Sequence, residues 1–232
     1  MITSALESAS IRLPIGRWSS WLGAAEESEG ATSPDVRFVE PLLRRRLGPL
    51  AKMMLHAANA CVQELRGARL VFASRHGELT YTVAMLRELA ADGMPSPSMF
   101  SLAVHNAAAG IFSILRQDSA PATAVAAGED TLGHALIECY CQLEQFPGQP
   151  VLLVYADKPL PAEFSKFVEM PERDVAIAVL FTPDASRMLT LGVGDAGNMA
   201  RSPNTQADIF LEHLSGGEAS RWTGSLRTWT WN

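Results

Sequence analysis

The stretch from Ser101 to Leu143 decides the fold class of this 232-residue chain. It reads SLAVHNAAAGIFSIL over residues 101–115, PATAVAA over 121–127, GED over 128–130 and TLGHALIECYCQL over 131–143. The first and last segments place small and apolar residues at helical spacing, which predicts two buried helices. The middle segment predicts a strand that ends at Gly128. A helix, a strand and a second helix in succession indicate an α/β fold.

The flanking sequence continues this alternation. Apolar residues spaced three and four apart predict a helix from Pro41 to about Gly67, and a second one over Thr80–Ala91. Four further apolar runs predict strands, at residues 68–74, 150–156, 174–182 and 188–193. We therefore expect an α/β fold with a mixed β-sheet flanked by helices.

The two ends of the chain carry weaker patterns. Residues 1–40 indicate loose organisation, with Trp18, Trp21 and Leu22 as apolar anchors and a loop over 24–34. From Gly197 the sequence is polar and rich in Gly and Ser, and it closes with three tryptophans that we expect to pack back on the body: Trp222, Trp229 and Trp231. The predicted organisation is a single domain over 1–232, with a core at about 40–195 and a tail at 197–232.

Composition excludes several classes of function. The chain has 47% hydrophobic residues and a formal charge of −6, without a basic stripe, which argues against nucleic acid as a partner. No apolar run reaches the roughly 18 residues of a membrane span, and the N-terminal residues lack the apolar region of a secretory signal. Three cysteines, with Cys139 and Cys141 too close to bridge easily, predict reduced thiols and a cytoplasmic location.

Motifs for metals, nucleotides and serine hydrolysis are absent from the sequence. Its five histidines show no HExxH pattern, and Cys139 and Cys141 point to different faces of a predicted helix, so we predict no metal site. No glycine-rich phosphate loop and no GxSxG motif occur, and we predict no cofactor. The basic run Arg44, Arg45 and Arg46 is either a solvated helix start or a docking point for an acidic protein such as an acyl carrier.

The turn at 128–131 has the shape of a nucleophile elbow. An apolar strand runs into Gly128 and an apolar helix leaves after it, which projects the intervening residue at a helix N-terminus. That residue is Glu129, a carboxylate with no nucleophilic role in thioester chemistry. Either Glu129 and Asp130 are acids favoured by the helix dipole, or they have a chemical role.

Residues 101–131 resemble the β-ketoacyl synthase family of condensing enzymes, which has a thiolase-like fold. Ketosynthases carry an Asn-x-x-Ala-Gly-x-x-Ser-Ile-like helix, a turn with proline, an apolar strand and Thr-Ala-Cys at the elbow. Residues 106–114 are similar to the helix, and Pro121 falls at the turn. Counting without a gap from Asn106 places Glu129 at the position of the nucleophilic Cys, and His134 matches a histidine after it. The resemblance covers about residues 40–195 and implies the N-terminal half of the ketosynthase fold.

The resemblance implies a subunit without chemistry of its own. Glu129 in place of Cys removes the thiolate that accepts the acyl chain, and the half of the fold with the two catalytic histidines has no counterpart here. We carry over no catalytic residue. Such relatives are chain-length factors, here of the aryl polyene type, which pair with a full-length β-ketoacyl synthase and shape the acyl tunnel that receives substrates from an acyl carrier protein.

The resemblance also implies where the partner binds. The segment before the Asn helix would line the partner's tunnel and the strand before the elbow would lie at the interface, which selects Phe100, Ser101, Leu102, His105, Asn106, Thr123 and Val125. Half a ketosynthase fold is further expected to leave one helical layer uncovered, as an apolar partner surface. Two alternatives stay open: an enzyme acting on acyl or malonyl thioesters through Glu129, Asp130 and His134, and a scaffold that binds carrier proteins through Arg44–Arg46.

Overall fold

The computed structural model describes residues 11–23, 33–91, 93–168 and 173–232. Within these ranges the chain forms eight strands: β1 (Ile11–Leu22), β2 (Arg69–Ala73), β3 (Ala122–Val125), β4 (Val151–Asp157), β5 (Val175–Phe181), β6 (Arg187–Asp195), β7 (Ser220–Thr223) and β8 (Arg227–Trp231). The helices are α1 (Pro41–Arg46), α2 (Pro49–Val62), α3 (Leu79–Ala90), α4 (Pro97–Ala103), α5 (Ala107–Arg116), α6 (Thr131–Gln145) and α7 (Gln206–Gly216), with a 3-10 helix at Ala162–Phe167.

All eight strands belong to one mixed sheet, in the order β3-β2-β4-β5-β1-β6-β8-β7. Strand β2 pairs in parallel with β3 and with β4, and the remaining pairs are antiparallel. The predicted α/β fold with a mixed sheet and flanking helices is confirmed, as are the five predicted strands.

The central strands β4 and β5 are buried on both faces of the sheet. In β4, Val151, Leu153 and Tyr155 belong to a core that α6, α7 and the C-terminal tryptophans complete. The alternate residues Leu152 and Val154 belong to a second core, formed with α2 and α5. A strand covered on both faces needs apolar residues at every position, which is why β4 and β5 read as continuous apolar runs.

The expectation of loose organisation in residues 1–40 is wrong for residues 11–22, which form β1 between β5 and β6. The register shifts at Gly16, where Ile15 pairs with Phe181 and Arg17 with Leu180. Before this β-bulge the odd residues Ile11, Leu13 and Ile15 face the core formed with α6 and α7, and after it the even residue Trp18 does. The sequence of β1 therefore shows no unbroken alternation. Residues 1–10 and 24–32, the latter most of the predicted loop, lie outside the described residues.

Two predicted helices are each broken in two. The helix predicted from Pro41 to about Gly67 divides into α1 and α2 at Leu47-Gly48, because Pro49 begins a new helix and its ring cannot continue the old one. A Cβ on Gly48 would lie 2.3 Å from Glu78 Oε1, and that carboxylate accepts a hydrogen bond at 2.7 Å from the Ala51 amide in the first turn of α2.

The predicted buried helix over 101–115 is likewise two elements. Helices α4 and α5 meet at 94° around residues 104–106, and α4 has no buried residue. None of the described helices is by itself long and apolar enough to cross a membrane; the bent pair α4 and α5 meets the length and composition criteria only jointly.

The C-terminal tail is part of the sheet and the core. It supplies α7, which begins with a capping box between Thr205 and Asp208, and the hairpin β7–β8. Trp222, Trp229 and Trp231 are each fully buried, which confirms that they pack on the body. The hydrophobic core therefore extends beyond 40–195 on both sides, from Ile11 to Trp231.

Candidate functional site

The turn between β3 and α6 is the candidate site, and its own residues hold its shape. Gly128 adopts a left-handed φ of 58°. The Thr131 hydroxyl donates to the Gly128 carbonyl at 2.6 Å and accepts from the Ala127 amide at 2.9 Å. Glu129 is thereby projected from a tight strand-to-helix elbow, as the sequence predicts.

Both carboxylate oxygens of Glu129 are occupied by donors from the C-terminal segment. Oε1 accepts from the backbone amide of Ser225 at 2.5 Å and from its hydroxyl, and Oε2 accepts from the Arg201 guanidinium at 2.5 Å. Partial burial acts to raise the pKa of Glu129, but the Ser225 hydrogen bonds and the Arg201 charge outweigh it and lower that pKa. Glu129 therefore ties the elbow to the turn between β7 and β8.

Asp130 and His134 both face Trp229. The indole Nε1 of Trp229 donates to Asp130 Oδ1 at 2.7 Å, and the His134 ring lies edge-on to the indole with centroids 5.4 Å apart. Asp130 is 8% exposed, and its side chain makes no capping bond to α6. The interpretation of Asp130 as an acid at a helix start misses this role, because its partner lies 99 residues further along the chain.

No thiol lies in the elbow. Cys61 is in α2, and Cys139 and Cys141 are in α6; all three are free. Burial raises the pKa of Cys61 to about 12 and that of Cys139 well above its ordinary value, so both remain protonated thiols. Among the described residues, no group of three or more His, Cys, Asp or Glu could hold a metal ion. The elbow thus presents the hydrogen-bonded carboxylate of Glu129, whereas Cys61 and Cys139 are buried and Cys141 is exposed on α6.

The residues predicted to meet a partner divide into two groups. Phe100, Ser101 and Asn106 lie exposed on or beside α4, and Phe100 is 63% exposed. The other four are half-buried and contact their own chain: Leu102 and Val125 pack on the two cores, His105 Nε2 lies 2.9 Å from the Ser74 carbonyl, and Thr123 accepts a hydrogen bond from Gln142.

His105 is held by a buried polar network that the sequence did not reveal. Ser74 follows β2 and donates to Asp157 at the end of β4, and Arg75 binds the same carboxylate at 2.6 Å. These residues meet because β2 and β4 are parallel neighbours whose carboxyl ends lie together. The network fixes the loop that α4 approaches.

The two edges of the sheet differ. At the β7 edge, Ser202 covers Thr223 by accepting from its amide at 2.9 Å and donating to its carbonyl at 2.8 Å. No described strand lies beyond β3. Because the carbonyls of Pro121 and Val125 bond to β2, strand alternation turns the backbone groups of Ala122 and Ala124 outward. Strand β3 is thus open to pairing.

The three consecutive helices α3, α4 and α5, which lead to this edge, carry several exposed apolar side chains. Leu86 and Leu89 on α3, Phe100 on α4 and Ile114 on α5 are between 55% and 74% exposed. Helix α3 contacts α4, α4 contacts α5, and α5 contacts β3. The outward face of α6 contains no large exposed hydrophobic residue, since α7 and the tryptophans cover its apolar side. Helices α3–α5 are therefore the candidate for the uncovered layer that the sequence leads us to expect.

Comparison with known families identifies the fold. A family model described as the N-terminal domain of β-ketoacyl synthases matches residues 18–232. The chain belongs to this β-ketoacyl synthase family. No curated protein sequence matches it.

Solved structures of other family members have the same fold. One is a chain of the complex of the ketosynthase ApeO with its chain length factor ApeC from Xenorhabdus doucetiae, at a TM-score of 0.81 and 21% identity; the match covers 95% of this chain and 99% of that one. The ishigamide ketosynthase/chain length factor matches at a TM-score of 0.61 and 14% identity, over 82% of this chain and 68% of that chain.

A longer ketosynthase chain shares the fold over part of its length. The ketosynthase from module 1 of the bacillaene synthase of Bacillus amyloliquefaciens FZB42 matches at a TM-score of 0.57 and 12% identity. The match covers 83% of the present chain but only 46% of the bacillaene ketosynthase chain.

Proposed function

We propose that this chain is a chain-length-factor-like subunit that pairs with a full-length β-ketoacyl synthase and carries no nucleophile of its own. It would help to wall the acyl tunnel of the pair in fatty-acid- or polyketide-type biosynthesis, of the aryl polyene kind, with substrates delivered by an acyl carrier protein in the cytoplasm. Bulk at the floor of such a tunnel limits how many two-carbon units fit.

The state of Glu129 carries the proposal. A general base needs a free oxygen and a pKa near the working pH, but both oxygens of Glu129 accept hydrogen bonds and its pKa is lowered. The same observation counts against the alternative of an independent thioester enzyme acting through Glu129. Chemistry would then reside in the partner's subunit.

The open β3 edge and the exposed apolar residues of α3–α5 support the proposal that a partner subunit binds on this side of the molecule. Ile114 is 74% exposed, and the outward amides of Ala122 and Ala124 offer a strand-pairing edge. Apolar patches of this kind on otherwise ordinary surfaces mark protein interfaces. Carrier docking at Arg44–Arg46 stays a prediction; these arginines form the last turn of α1.

Co-expression with a full-length β-ketoacyl synthase from the same gene cluster tests the proposal. We expect a 1:1 complex by size-exclusion chromatography with light scattering, and products of altered chain length relative to the ketosynthase alone. Ala124→Pro removes an outward amide while leaving the bonds to β2, and Ile114→Asp charges the apolar layer; each should abolish co-purification.

Leu42→Asp is the matched control. Leu42 is 67% exposed, close to the value for Ile114, but lies on α1, outside the elbow, the β3 edge and the α3–α5 layer. This variant should keep the complex intact. The proposal fails if no ketosynthase co-purifies with the wild-type chain, or if Leu42→Asp breaks the complex as readily as Ile114→Asp.

A further inference from the structure

A cavity that shares no residue with the elbow opens beside α1. It lies between the end of β1, helix α1 and the first turn of α2, and its volume is about 490 Å³. That volume is within the range of small-molecule sites, roughly 300–1,000 Å³.

One wall of this cavity is apolar and aromatic. It includes Trp21 from β1, Leu47 after α1 and Met53 from α2, with Tyr81 from α3. Leu47 and Met53 are almost completely buried, so their positions are fixed by the core. The Tyr81 hydroxyl is anchored on the Arg46 carbonyl at 3.3 Å. Trp21 and Tyr81, which are half-buried, therefore present the accessible apolar surface of this wall, and Leu47 and Met53 support it from beneath.

Three cations line the rest of the cavity. They are Arg44 and Arg45 from α1 and Lys52 from α2. Within the described part of the chain, none of the three makes a side-chain hydrogen bond or a salt bridge; Lys52 acts on the carboxyl of Glu78 only through its charge. Asp174, the one acid among the described lining residues, is already paired with Lys158 at 2.5 Å. The described part of the lining therefore carries a positive charge that no described acid neutralises.

Like charges held together around an apolar wall call for a counter-charge. Three neighbouring cations repel one another, and a bound anion converts that repulsion into attraction. The two guanidinium groups offer forked donors that match the oxygens of a carboxylate or phosphate. The adjoining wall of Trp21 and Tyr81 would bury an apolar body attached to that head.

We propose that this cavity binds an amphipathic anion: a carboxylate or phosphate head held by Arg44, Arg45 and Lys52, with an acyl or aryl body against Trp21 and Tyr81. A carboxylate on an apolar body is found in free acyl or aryl acids, and a phosphate on an apolar body is found in alkyl phosphates. The site acts in the isolated chain and does not rest on the proposed function.

Titration calorimetry and NMR on the full chain test this site. Octanoate and octyl phosphate are the two anionic probes, and octanol and inorganic phosphate supply the body and the head alone. We expect at least one amphipathic probe to bind with a dissociation constant below about 1 mM, more weakly as salt is raised, and to shift the Trp21 indole resonance. Which of the two binds more tightly identifies the head group.

Arg44→Gln/Arg45→Gln should weaken binding at least tenfold, and Arg46→Gln is its matched control. Arg46 lies in the same turn of α1 but does not line the cavity, so its removal should change affinity less than twofold. Circular dichroism melting checks that each variant folds. No binding of either probe, equal binding of octyl phosphate and inorganic phosphate, or equal losses from the Arg46 control and the double variant would each overturn the proposal.

Discussion

Glu129 connects parts of the chain that lie far apart in sequence. Its carboxylate holds Ser225 and Arg201, respectively 96 and 72 residues away. The two oxygens of one carboxylate can bind two separate segments at once, so Glu129 is a structural tie between the elbow and the C-terminal part of the chain. The same bonds lower the pKa of the Glu129 carboxyl and keep it ionised.

Glu129→Gln should destabilise the folded chain at neutral pH. The lowered pKa means that the ionised form stabilises the fold; this contribution is complete above the ordinary value of 4.5 and is lost as the pH falls through the lowered pKa. We expect a difference of about 1 kcal/mol at pH 7, because the side chain is partly exposed. Urea unfolding at pH 7 and at about pH 3.5 measures it.

The difference in the free energy of unfolding between wild type and Glu129→Gln should be smaller at the lower pH. Glu144→Gln, an exposed change on α6, controls for the loss of one negative charge and should leave stability nearly unchanged at both pH values. A gap for Glu129→Gln that is equal at both pH values would contradict the structural tie.

At the scale of elements, helix α6 and the β7–β8 hairpin fit closely because of a glycine. A Cβ on Gly133 would lie 2.5 Å from the Trp229 ring, so the indole packs directly on the helix backbone. Gly110 in α5 has nothing within 4 Å of such a Cβ. Gly133 is therefore required for close packing, whereas Gly110 has no packing role within this chain.

Gly133→Ala and Gly110→Ala should change stability in opposite directions. The first forces the Trp229 ring to move and should cost about 1–3 kcal/mol despite the better helix propensity of Ala. The second should gain about 0.5–1 kcal/mol, since nothing opposes the propensity. Thermal and urea unfolding of the isolated chain measure both. Stabilisation by Gly133→Ala would show that the contact with Trp229 is loose.

Some elements can be predicted from their sequence and others cannot. Strands β4 and β5 are evident from apolar runs. Strand β1 is not, because the bulge at Gly16 interrupts the alternation of its side chains between the two faces of the sheet. The start of α7 was readable in the Thr205–Asp208 capping box and in the spacing of Phe210, Leu211 and Leu214. The break at Gly48-Pro49 was readable too, because proline favours the first turn of a new helix.

At the scale of the whole molecule, the C-terminal segment completes the core. Helix α7 and the three buried tryptophans cover the face of the sheet on which α6 lies. A chain truncated after Ala196 would expose the apolar side of α6 and the edge of β6. The fold is thus closed by its last 36 residues, those from Gly197 to the C-terminus.

Truncation after Ala196 should abolish cooperative unfolding. We expect loss of the near-ultraviolet circular dichroism signal and strong binding of a hydrophobic dye, as in a molten globule. Trp231→Phe is the milder comparison: the buried indole Nε1 of Trp231 has no hydrogen-bond partner among the described residues, so this variant should still unfold cooperatively. A truncated chain with native-like unfolding would mean that the segment is a separate appendage.

The sequence by itself determined the α/β class, five of the strands, the strand-to-helix elbow and the residue at its tip. These features depend on local periodicity, that is, on residues only a few positions apart in the sequence. Only the tertiary structure decided that Glu129 is saturated by Ser225 and Arg201, that Trp229 holds Asp130, and that β3 is left as the open edge. Those contacts join residues up to 99 positions apart, and no local pattern encodes which distant segments a sheet brings together.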